Sequence, residues 1–489
     1  MDWNAQTAEH LVAAMRDGSV TSVELTDDAI ARIERDDKVI NAICTPDFDR
    51  ARAAARRADQ ARARGEDRPL LGVPVTVKES YNVAGLPTTW GMPAHRDHFP
   101  AEDAVQVSRI KAAGAVVLGK TNVPLGLQDI QTFNDIHGTT TNPWDRGRTA
   151  GGSSGGSAAA LAAGFGALSL GSDLAGSLRT PAHFCGVYAH KPTLGLAAGR
   201  GMTPPAEPAL PVEPDLAVVG PMARSARDLA LLLGVMAGPD PLTLGVAHRL
   251  ALPPARHERL GGFRVLVLDE HPLLPTGAAV RAGVHRVAAA LADGGARVER
   301  HSPLLPDLAE AATLYMQLLI SGSQARFPIE TDEQLRTRVA RLGADDCSLD
   351  AVRLRAMTFS HRDWLAANHR RELHRHGWRQ LFAAFDAVVC PITPTPAFPH
   401  DHTPDPMHRR IDIDGVEHPY FDQLVWAGLA TMSGLPATAV PAGRSPEGLP
   451  VGVQLIGPMF EDRTPLRLAE LLEPRLGGFR APEPGQARR

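Results

Sequence analysis

An α/β fold is what this sequence predicts, because short, apolar, β-branched runs alternate with helix-forming stretches along its length. The bulk composition agrees. The chain has 489 residues, 44% hydrophobic and 22% charged, which is ordinary for a globular protein and long enough for a large core. No internal repeat is present, and no stretch is long or polar enough to act as a linker, so one domain over 1–489 is expected.

The elements follow in order. Residues 7–64 read as helices, with Thr21 and Glu24 as a capping box ahead of Leu25, Ile30 and Ile33. LLGVPVTVK (70–78) is short and β-branched, as a buried strand is. Residues 104–113 return to helix, and AVVLGK (115–120) to strand. The polar, turn-forming run GTTTNPWDRGRTAGGSSGG (138–156) reads as loop. SAAALAAG (157–164) is an alanine-rich helix ended by glycine, and ALSL (167–170) a buried strand. GSDLAGS (171–177) reads as a tight turn of small residues, followed by a short helix from Arg179 with Pro181 in its first turn. Next, FRVLVLDE (263–270) and residues 277–293 form a strand–helix unit, and residues 305–322 and 350–385 are mainly helical. AVVCP (387–391) is a strand entering the Pro-rich run PITPTPAFPHDHTPDP, and the Pro/His loop at 391–410 is expected to shape a pocket mouth. LPATAVPAG (435–443) and LPVGVQLIG (449–457) are apolar strands, and residues 463–475 a closing helix.

Charge and cysteine usage exclude several classes. A net charge of −4 and a pI near 6.6 do not mark a partner of nucleic acid or of an anionic membrane surface. The basic run RARAAARRADQARAR (50–64) reads as a solvated helix face. Cys44, Cys185, Cys347 and Cys390 show no CxxC spacing, so neither a zinc site nor a disulfide framework is expected. The N-terminal residues lack the pattern of a secretory signal, and no apolar run reaches about 18 residues. A cytoplasmic protein is expected, and the excess of Ala, Arg, Gly and Pro over Lys and Asn fits a GC-rich bacterial genome.

Only five lysines occur against forty-six arginines: Lys38, Lys78, Lys111, Lys120 and Lys191. Arginine effectively never gives up its proton, whereas lysine shifts its pKa readily on burial. Lys78 lies in GVPVTVKES (72–80), upstream of a glycine–serine run from Gly151 to Ser177. That pairing suggests serine hydrolysis with an amine base; the plain alternative is a solvated strand-end lysine.

Three motifs compete for the same glycines. Gly114 to Thr121 (GAVVLGKT) fits the phosphate-loop pattern GxxxxGK[ST]. Its inner residues are Ala, Val, Val and Leu, which favour strand over a phosphate cradle. Gly151–Gly155 and Gly152–Gly156 both fit the nucleophile-elbow pattern GxSxG, but residues 142–150 do not read as the strand that an elbow needs, and no histidine follows His418. The third reading takes the whole interval GGSSGGSAAALAAGFGALSLGSDLAGSLRTPAHFCGVYAHKPT (151–193). With VPVTVKES, AGAVVLGKTNVP and GTTTNPWD before it, GPMARSARDLALLLGVMAG after it, and GLPATAVPAG…GLPVGVQLIG near the C-terminus, this closely resembles the amidase signature family from about residue 7 to 475.

The resemblance implies a large central mixed β-sheet covered on both faces by helices. It implies an N-terminal helical segment (about 1–68), a signature core (about 69–240), a variable helical and loop region (about 241–420) and C-terminal strands with a helix (about 421–478). It further implies a Ser–cis-Ser–Lys triad: Ser177 as nucleophile, Ser153 as bridging serine after a cis Gly152–Ser153 bond, and Lys78 as base. A serine hydroxyl needs a neighbour to take its proton, and a lysine can do so only when a desolvated site holds it neutral. The backbone N–H groups of Leu174, Ala175, Gly176 and Ser177 are the expected oxyanion hole. Ala175 replaces a frequent glycine, so a φ that alanine tolerates is expected there, and Glu79 replaces the more usual aspartate. Ser154, Asp173 and Arg179 are expected in support, the last two as a pair bracing the turn.

The implied reaction is hydrolysis of a small or medium, uncharged and partly apolar amide through an acyl-enzyme, with esters and carbamates as further candidates and neither metal nor organic cofactor required. Gln128, Ile130, Phe133 and Tyr315 are candidate pocket walls, although each also suits a core position. A monomer or homodimer acting alone is expected. The alternative is the glutaminase subunit of a tRNA-dependent amidotransferase, which shares the same core.

Overall fold

The computed structural model describes residues 3, 6–212, 214–326 and 330–482. Its frame is an 11-stranded mixed sheet. In chain order the strands are β1 (Ile43–Pro46), β2 (Pro74–Lys78), β3 (Val116–Thr121), β4 (Leu168–Asp173), β5 (Tyr188–Lys191), β6 (Val218–Ala223), β7 (Arg264–Val267), β8 (Arg297–Glu299), β9 (Ala387–Pro391), β10 (Ala437–Arg444) and β11 (Pro450–Ile456). Their spatial order is β1-β3-β2-β4-β6-β5-β10-β11-β9-β7-β8. Parallel pairs (β2 with β3 and β4; β7 with β8 and β9) sit among antiparallel ones.

Side chains alternate across each strand, and the core divides accordingly. Val75, Val77, Leu168 and Leu170 face one apolar cluster, shared with the helices Ala8–Arg16, Ala226–Met236, Ala278–Asp293 and Arg463–Leu476. Val116, Leu118, Ala189 and Met222 face the other side, against the helix Gly155–Ala162 and Leu178. A third cluster on that side joins the helices Leu308–Arg326, His361–Ala384 and Leu424–Ser433 to β7 and β9. Thr76 and Lys78 are the polar members of β2, and Ser169, Ser172 and Asp173 those of β4; all five are buried.

Several expectations are corrected. Residues 7–64 are not all helix, since β1 interrupts them and closes one sheet edge against β3. The predicted turn 171–177 begins as strand, with β4 running on to Asp173. The predicted loop 138–156 holds a small hairpin, Thr141–Asn142 with Asp145–Thr149, and its last two residues already belong to the helix Gly155–Ala162. A strand therefore does precede the GxSxG match, but it lies outside the central sheet. The phosphate-loop match behaves as its residue types require. Its last six residues are strand β3, and Lys120 is buried there, donating to the Pro87 carbonyl and Thr88 Oγ1. The Thr21–Glu24 capping box forms as expected.

Candidate active site

Lys78 ends β2, where the apolar flank Val73–Val77 carries it into the interior; its side chain has no exposed surface. The ammonium nitrogen Nζ lies 2.7 Å from Ser153 Oγ and 2.9 Å from Ser172 Oγ. No carboxylate pairs with it among the described residues. Burial pulls its pKa down to about 7, while the Asp173 and Glu79 carboxylates pull the other way. An amine in this state is neutral for about half the molecules near pH 7, as a base must be.

Ser153 follows Gly152 through a cis peptide bond. A β-carbon at Gly152 would stand 2.5 Å from the Asp129 carbonyl oxygen and 2.8 Å from that of Gln131, so only glycine fits under this segment. Ser154 donates its N–H to the Ser177 carbonyl at 3.2 Å, and its hydroxyl donates to the Ser172 carbonyl at 3.3 Å. The segment after Gly152 is thereby tied to the turn that leaves β4. Ser177 itself is nearly buried, and its hydroxyl makes no hydrogen bond among the described residues.

That turn is wrapped around one carboxylate. Asp173 accepts from the N–H groups of Gly176 (2.9 Å) and Leu178 (3.1 Å) and from Arg179 Nε (3.0 Å) and Nη2 (2.8 Å). The Asp173–Arg179 pair is fully buried, so the expected brace is present. Burial raises the Asp173 carboxyl, but the Arg179 charge and these hydrogen bonds outweigh it and hold the group below its ordinary value. Arg179 also donates to Gln454 Oε1, the Ala427 carbonyl and Thr431 Oγ1, which anchors the turn to β11 and to the helix Leu424–Ser433.

The expected oxyanion donors divide. The Gly176 N–H donates to Asp173, whereas those of Leu174, Ala175 and Ser177 have no partner among the described residues. Gly176 adopts φ +90°, while Ala175 keeps an ordinary φ; the left-handed residue of the turn is the glycine that the sequence retains.

The candidate pocket residues separate too. Tyr315 donates its hydroxyl to the Leu174 carbonyl at 3.1 Å, and Ile130 shares its apolar cluster, against which Leu174 and Ala175 pack. Phe133 sits in an aromatic group, stacked on His402 at 4.0 Å with the Arg409 guanidinium 5.6 Å from its ring centre. Gln128 is exposed. The Pro/His loop packs against this region through side-chain pairs. Arg409 pairs with Asp129, Tyr420 donates to the same carboxylate, and Gln131 exchanges two hydrogen bonds with the Asp401 backbone.

Sequence reasoning missed Ser172 and the partners of Glu79 and His183. Ser172 was hidden inside a segment that reads as a turn. Glu79 accepts from the N–H groups of Thr89 and Trp90 and so holds the loop beside β2. His183, six residues past Ser177, accepts from the Gly452 N–H and pairs with the Thr395 carbonyl; burial pulls it down to about 4 against those two bonds, so it is neutral. Among the described residues no cluster of His, Cys, Asp and Glu could hold a metal ion.

The chain matches the Amidase family over residues 24–466. It is 35% identical to a glutamyl-tRNA(Gln) amidotransferase subunit from Roseiflexus sp. (strain RS-1), covering 94% of this chain and 93% of that one. It is 31% identical to an indoleacetamide hydrolase from Bradyrhizobium diazoefficiens, covering 96% and 86%. A solved chain from a vestigial protein complex tied to the origins of an s-triazine catabolic enzyme superposes with a TM-score of 0.82 at 31% identity, over 98% of this chain and 100% of that one. This chain belongs to the amidase signature family, whose members are hydrolases acting on C–N amide bonds.

Proposed function

We propose that the protein is a free-standing serine amidase with Ser177 as nucleophile, Ser153 as proton relay and Lys78 as base. One observation carries the reading: a fully buried lysine with no carboxylate partner among the described residues, its Nζ 2.7 Å from a serine hydroxyl. In the proposed reaction the Ser177 hydroxyl gives its proton to Ser153 Oγ as Ser153 gives its own to the neutral Lys78 amine. Ser177 Oγ attacks the amide carbonyl carbon, and the N–H groups of Leu174, Ala175 and Ser177 receive the oxyanion. The C–N bond then breaks, and the proton returns through Ser153 to the leaving amine. Water attacks the acyl-enzyme over the same relay, which releases the acid and restores Ser177.

The substrate class is a small or medium, uncharged, partly apolar amide, a reading supported by the apolar cluster of Ile130 and Tyr315 on which Leu174 and Ala175 of the turn pack. Esters and carbamates (urethanes) present the same carbonyl geometry and belong to the expected range. The chemistry as written uses no cofactor. Four free cysteines fit a reducing cytoplasm, and no described helix is long and apolar enough to cross a membrane. The similarity to glutamyl-tRNA(Gln) amidotransferase subunits supports a second reading, a glutaminase that works within a complex. Purified alone, the protein is expected to hydrolyse an anilide and to be labelled by a fluorophosphonate at Ser177. Turnover only of glutamine, and only with added partner proteins, selects the second reading; labelling at Ser153 or Ser154 but not at Ser177 removes the nucleophile assignment.

A further inference from the structure

Gly171 lies on β4, directly across from Gly220 on β6, so two neighbouring positions of the sheet present no side chain. Leu178 fills the slot they leave. A β-carbon at Gly171 would stand 2.6 Å from Leu178 Cδ2, and one at Gly220 would stand 2.6 Å from Leu178 Cδ1. Leu178 has no exposed surface, so it cannot swing outward to make room. The same β-carbon at Gly171 would also stand 3.0 Å from Ser154 Oγ. The residue following Ser153 and the residue following Ser177 therefore rest on one glycine.

The two segments also touch where the Ser154 hydroxyl donates to the Ser172 carbonyl at 3.3 Å and where Gly151 lies against Pro181. The one hydrogen bond that runs to Ser177 itself is the Ser154 N–H to the Ser177 carbonyl at 3.2 Å, among the described residues. The other anchors of the turn, namely the Asp173 carboxylate, Arg179 and Gly176, fix its shape and its attachment to β11 and the helix Leu424–Ser433. None of them hydrogen-bonds the Ser153 segment among the described residues. The floor that both segments share is therefore one of the contacts that set the distance between the two serines.

We infer that Gly171 is a positioning residue that sets the separation of Ser153 and Ser177, with Leu178 as the part that transmits it. This rests on the triad proposed above. Any side chain at Gly171 lifts Leu178 and Ser154 off the sheet, in directions that open the gap the proton must cross. An error of about 1 Å in such a contact costs about 100-fold in rate.

The test needs no knowledge of the natural substrate. The rate of fluorophosphonate labelling, mapped to its peptide, is measured for the wild type, Gly171→Ala, Leu178→Ala, the double variant and Gly294→Ala. The last introduces a clash of similar size against Leu260, elsewhere in the fold. Thermal melting accompanies each measurement. Gly171→Ala is expected to slow Ser177 labelling about 100-fold, the double variant to regain much of that loss, and Gly294→Ala to melt lower with an unchanged rate. A folded Gly171→Ala protein labelled as fast as wild type overturns the proposal. If Gly171→Ala does not fold, Leu178→Ala decides: folded and slow supports it, folded and fast overturns it. Wild-type labelling at a serine other than Ser177 defeats the triad reading, and this inference with it.

Discussion

A buried amine that is to accept a proton must first lose one, and at Lys78 burial supplies that loss. Because its pKa falls to about 7, Lys78 is protonated and inert below that pH and free to accept above it. kcat/KM on an anilide is therefore expected to rise as pH passes through about 7. Lys78→Met is expected to abolish that rise and lower kcat by about 10²–10⁴-fold; a variant that keeps both the rate and the pH limb contradicts the assignment. The same shift has a consequence for stability. Lys78 and Lys191 both fall from 10.5 to about 7 on folding, so between those values the unfolded chain holds protons that the folded chain lacks. Stability then rises with pH across that window, and the full cost of burying the amines is felt below it. Melting temperature is expected to climb from pH 7 towards pH 9, and less steeply in Lys191→Met; an equal slope in that variant would show that its amine is not the source. Three of the five lysines, Lys78, Lys120 and Lys191, are fully buried.

At the scale of elements, the Pro/His loop is held by a buried pair rather than by secondary structure. Arg409 lies between Phe133 and Tyr420 and pairs with Asp129, whose own carbonyl lies under Gly152. Arg409→Met leaves the Asp129 carboxylate without its charge partner and is expected to cost about 3 kcal/mol in denaturant unfolding. Asp129→Asn combined with it should cost less than the sum of the two single changes. By contrast, Thr21→Ala removes only the cap of an outer helix; a loss of about 1 kcal/mol with unchanged kcat is expected. The difference in legibility between these elements has a physical cause. The cap is a local contact between residues three apart, so Thr21 and Glu24 announce it. The Arg409–Asp129 pair spans 280 positions, and neither neighbourhood hints at the other.

At the scale of the molecule, the central sheet draws strands from Ile43 to Ile456, and β5, inside the signature, pairs with β10, near the C-terminus. We therefore expect one cooperative unfolding transition for the whole chain. A fragment ending near residue 240 would leave β5 without β10 and is expected not to fold, as circular dichroism and exchange-protected amides would show. A well-folded fragment would argue instead for separable domains. The strands that the sequence announces are those with continuous apolar, β-branched stretches: β2, β3, β4, β7, β9, β10 and β11. Those it hides are β1 (ICTP), β5 (YAHK), β6 (VVGPMA) and β8 (RVE), which are short, polar or interrupted by proline and glycine. Such residues are held extended by the neighbours they pair with, not by any preference of their own.

By itself the sequence determined the α/β architecture and the lysine and two serines that carry the proposed chemistry, because apolar periodicity and a long, specific motif are properties of neighbouring residues. Tertiary structure alone decided that Ser172 reaches Lys78, that the Gly176 N–H is committed to Asp173, and that one glycine lies beneath both serine segments. Each of these depends on a separation in space between residues distant in the chain or hidden by a misread turn, and only the packed sheet sets such separations.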